Sequence, residues 1–219
     1  MGAIAELGSK SAEIRLRAAI ASGDLPPGHR LVENDLAERW NLSRGNVRLA
    51  IDRLVSEGLA ERVPHRGAHV RRVSRSEAIA ITECRLVLEG LIAHRAAERA
   101  SAGDIAALHG QLDLMRTAVA QADLLGYSDL IQGLHAHVRR IGAHTTAAAL
   151  VGELQAQLVR HQFRLSLRPG RAAQSLAELE AVVAAIAAHD PAAAEHHSAT
   201  HFHSVIDALQ DPTHQEAGI

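Results

Sequence analysis

Two arginines four residues apart, Arg44 and Arg48, with Asn46 between them, carry the sharpest chemical signal in the chain. On a helix that spacing projects both guanidinium groups from one face. Arginine reads guanine edges or grips phosphate with two parallel hydrogen bonds, and an asparagine beside it could read adenine. His65, Arg66 and Gly67 form a second, partly cationic cluster that could enter a minor groove, with the glycine letting the backbone approach closely. Histidine is a third signal, with 12 of the 15 beyond Ser74. Imidazoles and a carboxylate on facing helices suit a divalent metal. Arg85 suits an anion and equally an intrahelical salt bridge to Glu89, four residues on. A pair of arginines on a helix is most often a solvated face, so the elements around them decide.

Ser11–Ala21 carries apolar residues at helical spacing, Ser22-Gly23-Asp24 and Pro26-Pro27-Gly28 break the chain, and Glu33–Trp40 predicts a second short helix. Asn41-Leu42 predicts a tight turn. Ser43 is a good N-cap for a third helix to about Glu57, with Val47, Ala50, Ile51 and Leu54 on its buried stripe. Gly58 ends that helix, and Leu59–Val63 with Ala68–Val73 predict a hairpin around Pro64-His65-Arg66-Gly67. Three helices followed by a β-hairpin make a winged helix-turn-helix over residues 1–74, whose third helix presents its first turns to a major groove. From Ser76 helical periodicity dominates, with breaks near Gly103, Gly126, His144-Thr145, Pro169-Gly170 and Asp190-Pro191. That pattern predicts an all-α antiparallel bundle of about six helices over residues 75–219, with Ser74-Arg75-Ser76 as the hinge.

Composition narrows the classes. The 219 residues are 47% hydrophobic and 22% charged, too apolar for a disordered chain. Aromatics at 2% argue against single-strand binding by base stacking. Cys84 is the single cysteine, which excludes an intramolecular disulfide framework and Cys-rich zinc modules. No apolar run reaches the roughly 18 residues of a membrane span, and no secretory leader is evident, so a cytoplasmic location is expected. The first 74 residues hold 12 Lys and Arg against 9 Asp and Glu, and the rest 11 against 16, so a basic piece is joined to an acidic one. No HExxH spacing, nucleophile triad, phosphate-cradling glycine loop or pair of catalytic carboxylates appears, so no enzyme activity is expected.

The run Ile20-Ala-Ser-Gly-Asp-Leu-Pro-Pro-Gly28, then Leu31-Val-Glu33, Leu36-Ala37, Leu42-Ser43-Arg44, Val47-Arg48, Leu54 and Glu57-Gly58-Leu59, closely resembles the GntR family of bacterial transcription regulators. Gly67 and Val70 extend the likeness, which covers roughly Ser11 to Val73. It implies operator contacts at Asn34, Arg44, Asn46, Arg48 and the wing glycine. With the cap and the wing tip, the expected DNA-contact set is Asn34, Ser43, Arg44, Asn46, Arg48, His65, Arg66 and Gly67. Gly45-Asn46 stands where the family commonly has Thr-Pro, and Leu49 where it has Glu, which points to an altered base preference. Val32 replaces a common capping residue before the second helix.

An all-helical second half is similar to the FCD ligand-binding domain of the FadR-like branch. Glu83-Cys-Arg85-Leu-Val-Leu-Glu89, Leu134-His135, Gly142-Ala-His144, Ala185-Ile186, Asp190, Ala194 and His201 carry that likeness, more loosely. Many FCD domains hold a divalent metal with one Asp and three His. The resemblance puts those ligands at Ile131, His135, Leu179 and His201, so two of the four positions are apolar and an intact site is not supported. His137 and His197 substitute only if their helices rotate or shift. No cofactor is expected beyond a divalent metal on this partial site; a histidine-lined pocket and solvated histidines are the alternatives. Arg85, His135, Arg139 and His201 are the expected effector-binding residues, with Arg85 as anchor for an organic anion. The expectation is a homodimeric regulator that binds an imperfect palindrome of double-stranded DNA under control of a small-molecule effector, with no membrane partner. The rival is a helical metal-binding protein or metalloenzyme using the C-terminal histidines.

Overall fold

The computed structural model describes residues 2–158, 165 and 168–211, so the tail 212–219 of the expected second domain lies outside the described residues. The chain divides into two compact units, 1–74 with 156–160, and 75–155 with 161–219.

The first unit runs α1 (Gly2–Ser22), β1 (Arg30–Leu31), α2 (Glu33–Trp40), α3 (Arg44–Ser56), β2 (Ala60–Val63) and β3 (Gly67–Val70). The hairpin strands are slightly shorter than expected, but the sheet is larger, because β1 adds a third antiparallel strand in the order β1-β3-β2, pairing Arg30 with His69 and Leu31 with Ala68. The first helix is also longer than the expected Ser11–Ala21. Leu16, Val47, Ala50 and Leu54 are fully buried, so α1 and α3 share one aliphatic core. Asn41 closes α2 in the left-handed region at φ 51°, with its N–H turned back to Ala37 and Glu38, and this sets the sharp turn into α3. α2 begins at Val32 without a side-chain cap, as its sequence implies. Arg17 and Arg53 meet Glu13, and Arg17 also meets Glu57, tying α1 to α3 outside the core.

The second unit has six described helices: α4 (Arg75–Arg99), α5 (Ala102–Ala120), α6 (Leu124–Gly142), α7 (Thr145–Gln157), α8 (Arg171–Ala187) and α9 (Pro191–Gln210). The breaks expected near Gly103 and Gly126 fall just before them, at 100–101 and 121–123, so that both glycines sit in first turns. Caps decide those boundaries. Ser101 and Asp104 form a reciprocal capping box for α5, and the Asp123 carboxylate accepts from Gly126 N at 2.9 Å to start α6. Asp190 caps α9 with Pro191 at its first position. The core is aliphatic, around Ile92, Leu108, Leu112, Leu134, Val183 and Ile186. α9 packs along α4 and α8, and α6 lies between α4 and α5. At the α4–α6 crossing the backbones nearly touch, for a β-carbon on Gly142 would sit 2.7 Å from the Ile92 carbonyl oxygen.

Gly142→Ala must therefore push these two helices apart, at a cost of about 1–3 kcal/mol. Chemical denaturation followed by circular dichroism checks this. An unchanged unfolding midpoint would mean that the crossing has slack.

Candidate functional site

Functional side chains gather in two places, one in each unit. In the first, Ser43 adopts an extended conformation and its Oγ accepts from Asn46 N at 3.2 Å, which fixes where α3 begins. Arg44 opens the helix and Arg48 follows one turn on, both exposed. Arg44 has no hydrogen bond or ion pair to another side chain among the described residues. Arg48 Nε comes within 3.9 Å of Glu33 Oε2, an exposed contact of little worth that phosphate would readily replace. Asn34 is exposed at the start of α2. Asn46 is placed differently: it is half-buried, with its carboxamide against Gly8 of α1, where a β-carbon would not fit. His65, Arg66 and Gly67 are exposed at the hairpin tip, with His65 at φ 62° and Gly67 at φ 83°, and Arg66 N donates to Val63 O at 3.0 Å. An Asp52–Arg62 ion pair joins β2 to α3, so the wing stands beside the arginine-bearing helix. Leu49, outside the expected contact set, is 53% exposed on α3, and Gly45 one turn before it faces open space.

In the helical unit, Arg85, His135 and His201 line one cavity of about 590 Å³, counted out to its open mouth. Arg139 is not on its wall. It sits behind, where its Nη1 donates to Glu89 Oε1 at 3.2 Å; Arg85 Nη2 donates to the same oxygen at 3.1 Å. The expected alternatives for Arg85 thus coexist, since it pairs with Glu89 and still faces the cavity. Its guanidinium carbon lies 5.0 Å from the Phe202 ring centroid, a cation–π contact. Arg171, also on the lining, donates to Glu178 at 3.3 Å, and Glu178 Oε2 accepts from His201 Nδ1 at 2.8 Å. Because a carboxylate only accepts, that bond places the His201 proton on Nδ1 and leaves Nε2 as an acceptor.

Tyr127, Arg171, Ser175 and Glu178 are absent from the expected site. A signal for them exists: Tyr127, Ile131 and His135 recur at four-residue spacing on α6, as do Arg171, Ser175 and Leu179 on α8.

Burial governs the protonation of this site. It pushes His135 well below its ordinary 6.5, and His201, Arg85 and Arg139 add repulsion. Burial also lowers His201, against the pull of Glu178. For Glu178 burial works upward, but hydrogen bonds from His201 and Ser204 and the charge of Arg171 hold it below the usual range. Burial raises the Tyr127 phenol to about 12. At neutral pH both imidazoles are uncharged and Glu178 is ionised.

A divalent cation does not fit here. Ile131 lines the cavity and Leu179 is buried in the core, so the two apolar positions supply no donor. His137 has its ring nitrogens against Gln111 and Arg140, and His197 lies edge-on to His196, so neither replaces them. Among the described residues no group of three or more His, Cys, Asp and Glu is placed to hold a metal. Arginine charge bears on both remaining imidazoles and opposes a cation.

Comparison with known proteins agrees with this division. Residues 9–70 match the model of the bacterial regulatory proteins of the gntR family, and residues 80–204 match the FCD domain. The chain is 27% identical over 148 residues to the HTH-type transcriptional repressor RspR of Escherichia coli, covering 68% of this chain and 65% of that protein. It thus spans just under two thirds of that relative's length. It is 39% identical over 75 residues to the uncharacterized HTH-type transcriptional regulator BphR of Paraburkholderia xenovorans, covering 34% of this chain and 31% of that one. In fold it is similar to E. coli McbR/YncC, with a TM-score of 0.82 at 22% identity over 93% of this chain and 97% of that one. A putative GntR regulator from Rhodococcus sp. RHA1 gives a TM-score of 0.76 at 21% identity over 92% and 97%. These two likenesses speak to fold alone.

The depressed His135 pKa has a consequence for stability. Above about pH 6.5 neither folded nor unfolded chain protonates this imidazole; below it the unfolded chain takes a proton that the folded one resists. Stability therefore falls as pH drops through the window below 6.5. His135→Gln is expected to flatten that slope in thermal unfolding followed between about pH 7.5 and 5.5. An unaltered slope would show that His135 does not titrate on unfolding.

Proposed function

The chain belongs to the GntR family of bacterial regulators and carries the family's FCD domain, and on that premise we propose that it is a one-component transcription regulator whose DNA affinity is set by a small organic anion. The observation that carries this reading is the pair of exposed arginines on the first turns of a capped helix, beside an exposed wing. The helix N-terminus favours phosphate, and the two guanidinium groups reach base edges or phosphates from one face. Two copies, acting as a homodimer, set two such helices in successive major grooves of an imperfect palindrome. The effector sits between Arg85, His135 and His201 in the helical unit, and its different affinity for two dimer arrangements shifts operator binding. The family and the relatives are transcription regulators, not enzymes. The metalloenzyme alternative has no support, since the donors around His135 and His201 do not make a metal site. No helix among the described residues is long and apolar enough to cross a membrane.

A mobility-shift titration with duplex from upstream of the protein's own coding region tests the reading. Arg44→Ala and Arg48→Ala should each weaken binding by roughly 1–3 kcal/mol. Wild-type binding should fall steeply with salt as phosphate contacts release counterions. Unchanged affinity in both variants would contradict the assignment.

A further inference from the structure

The amino-terminal turns of α1 stand where a duplex would have to enter. Three contacts fix the register of α1 on α3: Gly8 lies against the Asn46 carboxamide, Glu13 meets Arg53, and Arg17 meets Glu57. Residue numbers rise together along both helices, so the two run side by side in the same direction. Gly8 is the seventh residue of α1, whereas Asn46 is only the third of α3. At 1.5 Å per residue, α1 therefore overhangs the tip of α3 by roughly 6 Å. That tip is the end that carries Arg44 behind its Ser43 cap. The gntR match begins at residue 9, so the overhanging turns lie outside it.

A major groove about 12 Å wide admits one helix of about 10 Å diameter, not two packed side by side. With the overhang in place, α3 cannot enter tip-first as far as Asn46, whose carboxamide is packed on α1 instead of facing a base. The overhang is also loosely built. Gly8 brings no β-carbon to the helix, and a glycine inside a helix weakens it relative to alanine. The buried stripe of α1 among the described residues, Ser9, Ala12, Leu16, Ala19 and Ile20, lies beyond that glycine. Residues 9–22 keep this packing when the turns before Gly8 open, and such fraying of a helix end costs far less than unfolding the unit.

We propose that residues 2–7 are an autoinhibitory cover on the DNA-reading end: they continue α1 past α3 in the free protein, and they unwind at Gly8 to let Arg44, Asn46 and Arg48 into a major groove. This rests on the DNA-binding reading above and adds its regulation. Operator affinity is reduced by the fraction of molecules that are covered, so whatever holds or releases these turns tunes the regulator without altering the reading helix. The rival arrangement, in which the positive end of α1 grips phosphate, predicts effects of the opposite sign.

The test compares the full chain with a chain lacking residues 2–7, by mobility shift on the upstream duplex. Removing the cover should tighten binding about tenfold, as expected when roughly nine molecules in ten are covered. Ala3→Gly combined with Ala5→Gly in the full chain should also tighten binding, since glycine favours the unwound turns. Hydrogen exchange gives a readout that does not depend on any variant. Amides 6–10, whose helical acceptors are residues 2–6, should exchange slowly in the free protein and faster with duplex bound. Binding that is weaker or unchanged on deletion, or slower exchange of these amides on DNA, overturns the proposal. If neither chain binds the duplex, the regulator reading falls and the cover with it; if both bind equally, the cover falls alone.

Discussion

The buried carboxylate of Glu89 is the constraint from which the helical unit takes its chemistry. It accepts from Arg85 on its own helix and from Arg139 on α6, and these three side chains lie where water has little access. Removing a member of such a cluster leaves charge uncompensated, at a cost well above what an intact surface pair contributes. The cluster therefore fixes α4 against α6, and it consumes one end of the Arg85 guanidinium while leaving Nε buried without a hydrogen-bond partner among the described residues. Glu178 plays a similar part on the other wall, where it orders Arg171 and sets the His201 tautomer. Both imidazoles are then uncharged neighbours of fixed cations. An anion is at home in such a place, and a divalent cation is not.

The DNA-facing unit uses its cations the opposite way. Arg44, Arg48 and Arg66 are exposed, and no buried carboxylate holds them, so their interaction energy is kept for a partner. What the fold supplies is position. Ser43 sets the first turn of α3, the stripe through Val47, Ala50 and Leu54 fixes its rotation, and the Asp52–Arg62 pair keeps the wing beside it. Leu49 is exposed on the same helix as the two arginines.

Much of this was legible in the residues, for identifiable reasons. α3 announces both ends, through the Ser43 cap and Gly58, and its apolar stripe has an unbroken helical period. β1 escapes because two residues carry no period, and only its pairing with β3 defines it. Gly103 and Gly126 mark nearby breaks while lying inside the following helices, because a glycine in the first turn costs little when a side-chain cap just before it satisfies the backbone donors. In the cavity, Arg85, His135 and His201 were legible through the resemblance to FCD motifs. Tyr127 and Ser175 were not, for a lone tyrosine or serine in a helical stripe reads as packing. Arg139 was expected to bind the effector; it is not among the residues lining the cavity and donates to Glu89.

The central claim is that occupancy of the cavity in the helical unit changes the affinity of α3 and the wing for DNA. The most direct measurement is fluorescence anisotropy of a labelled duplex from upstream of the coding region, titrated with the full chain with and without a small organic acid that stabilises the protein in a thermal-shift screen. The account predicts a shift in operator affinity of about five- to 150-fold with the acid, typical of allosteric coupling, and loss of that shift in Arg85→Gln at the same acid concentration. Operator binding that is identical with and without a bound acid would contradict it.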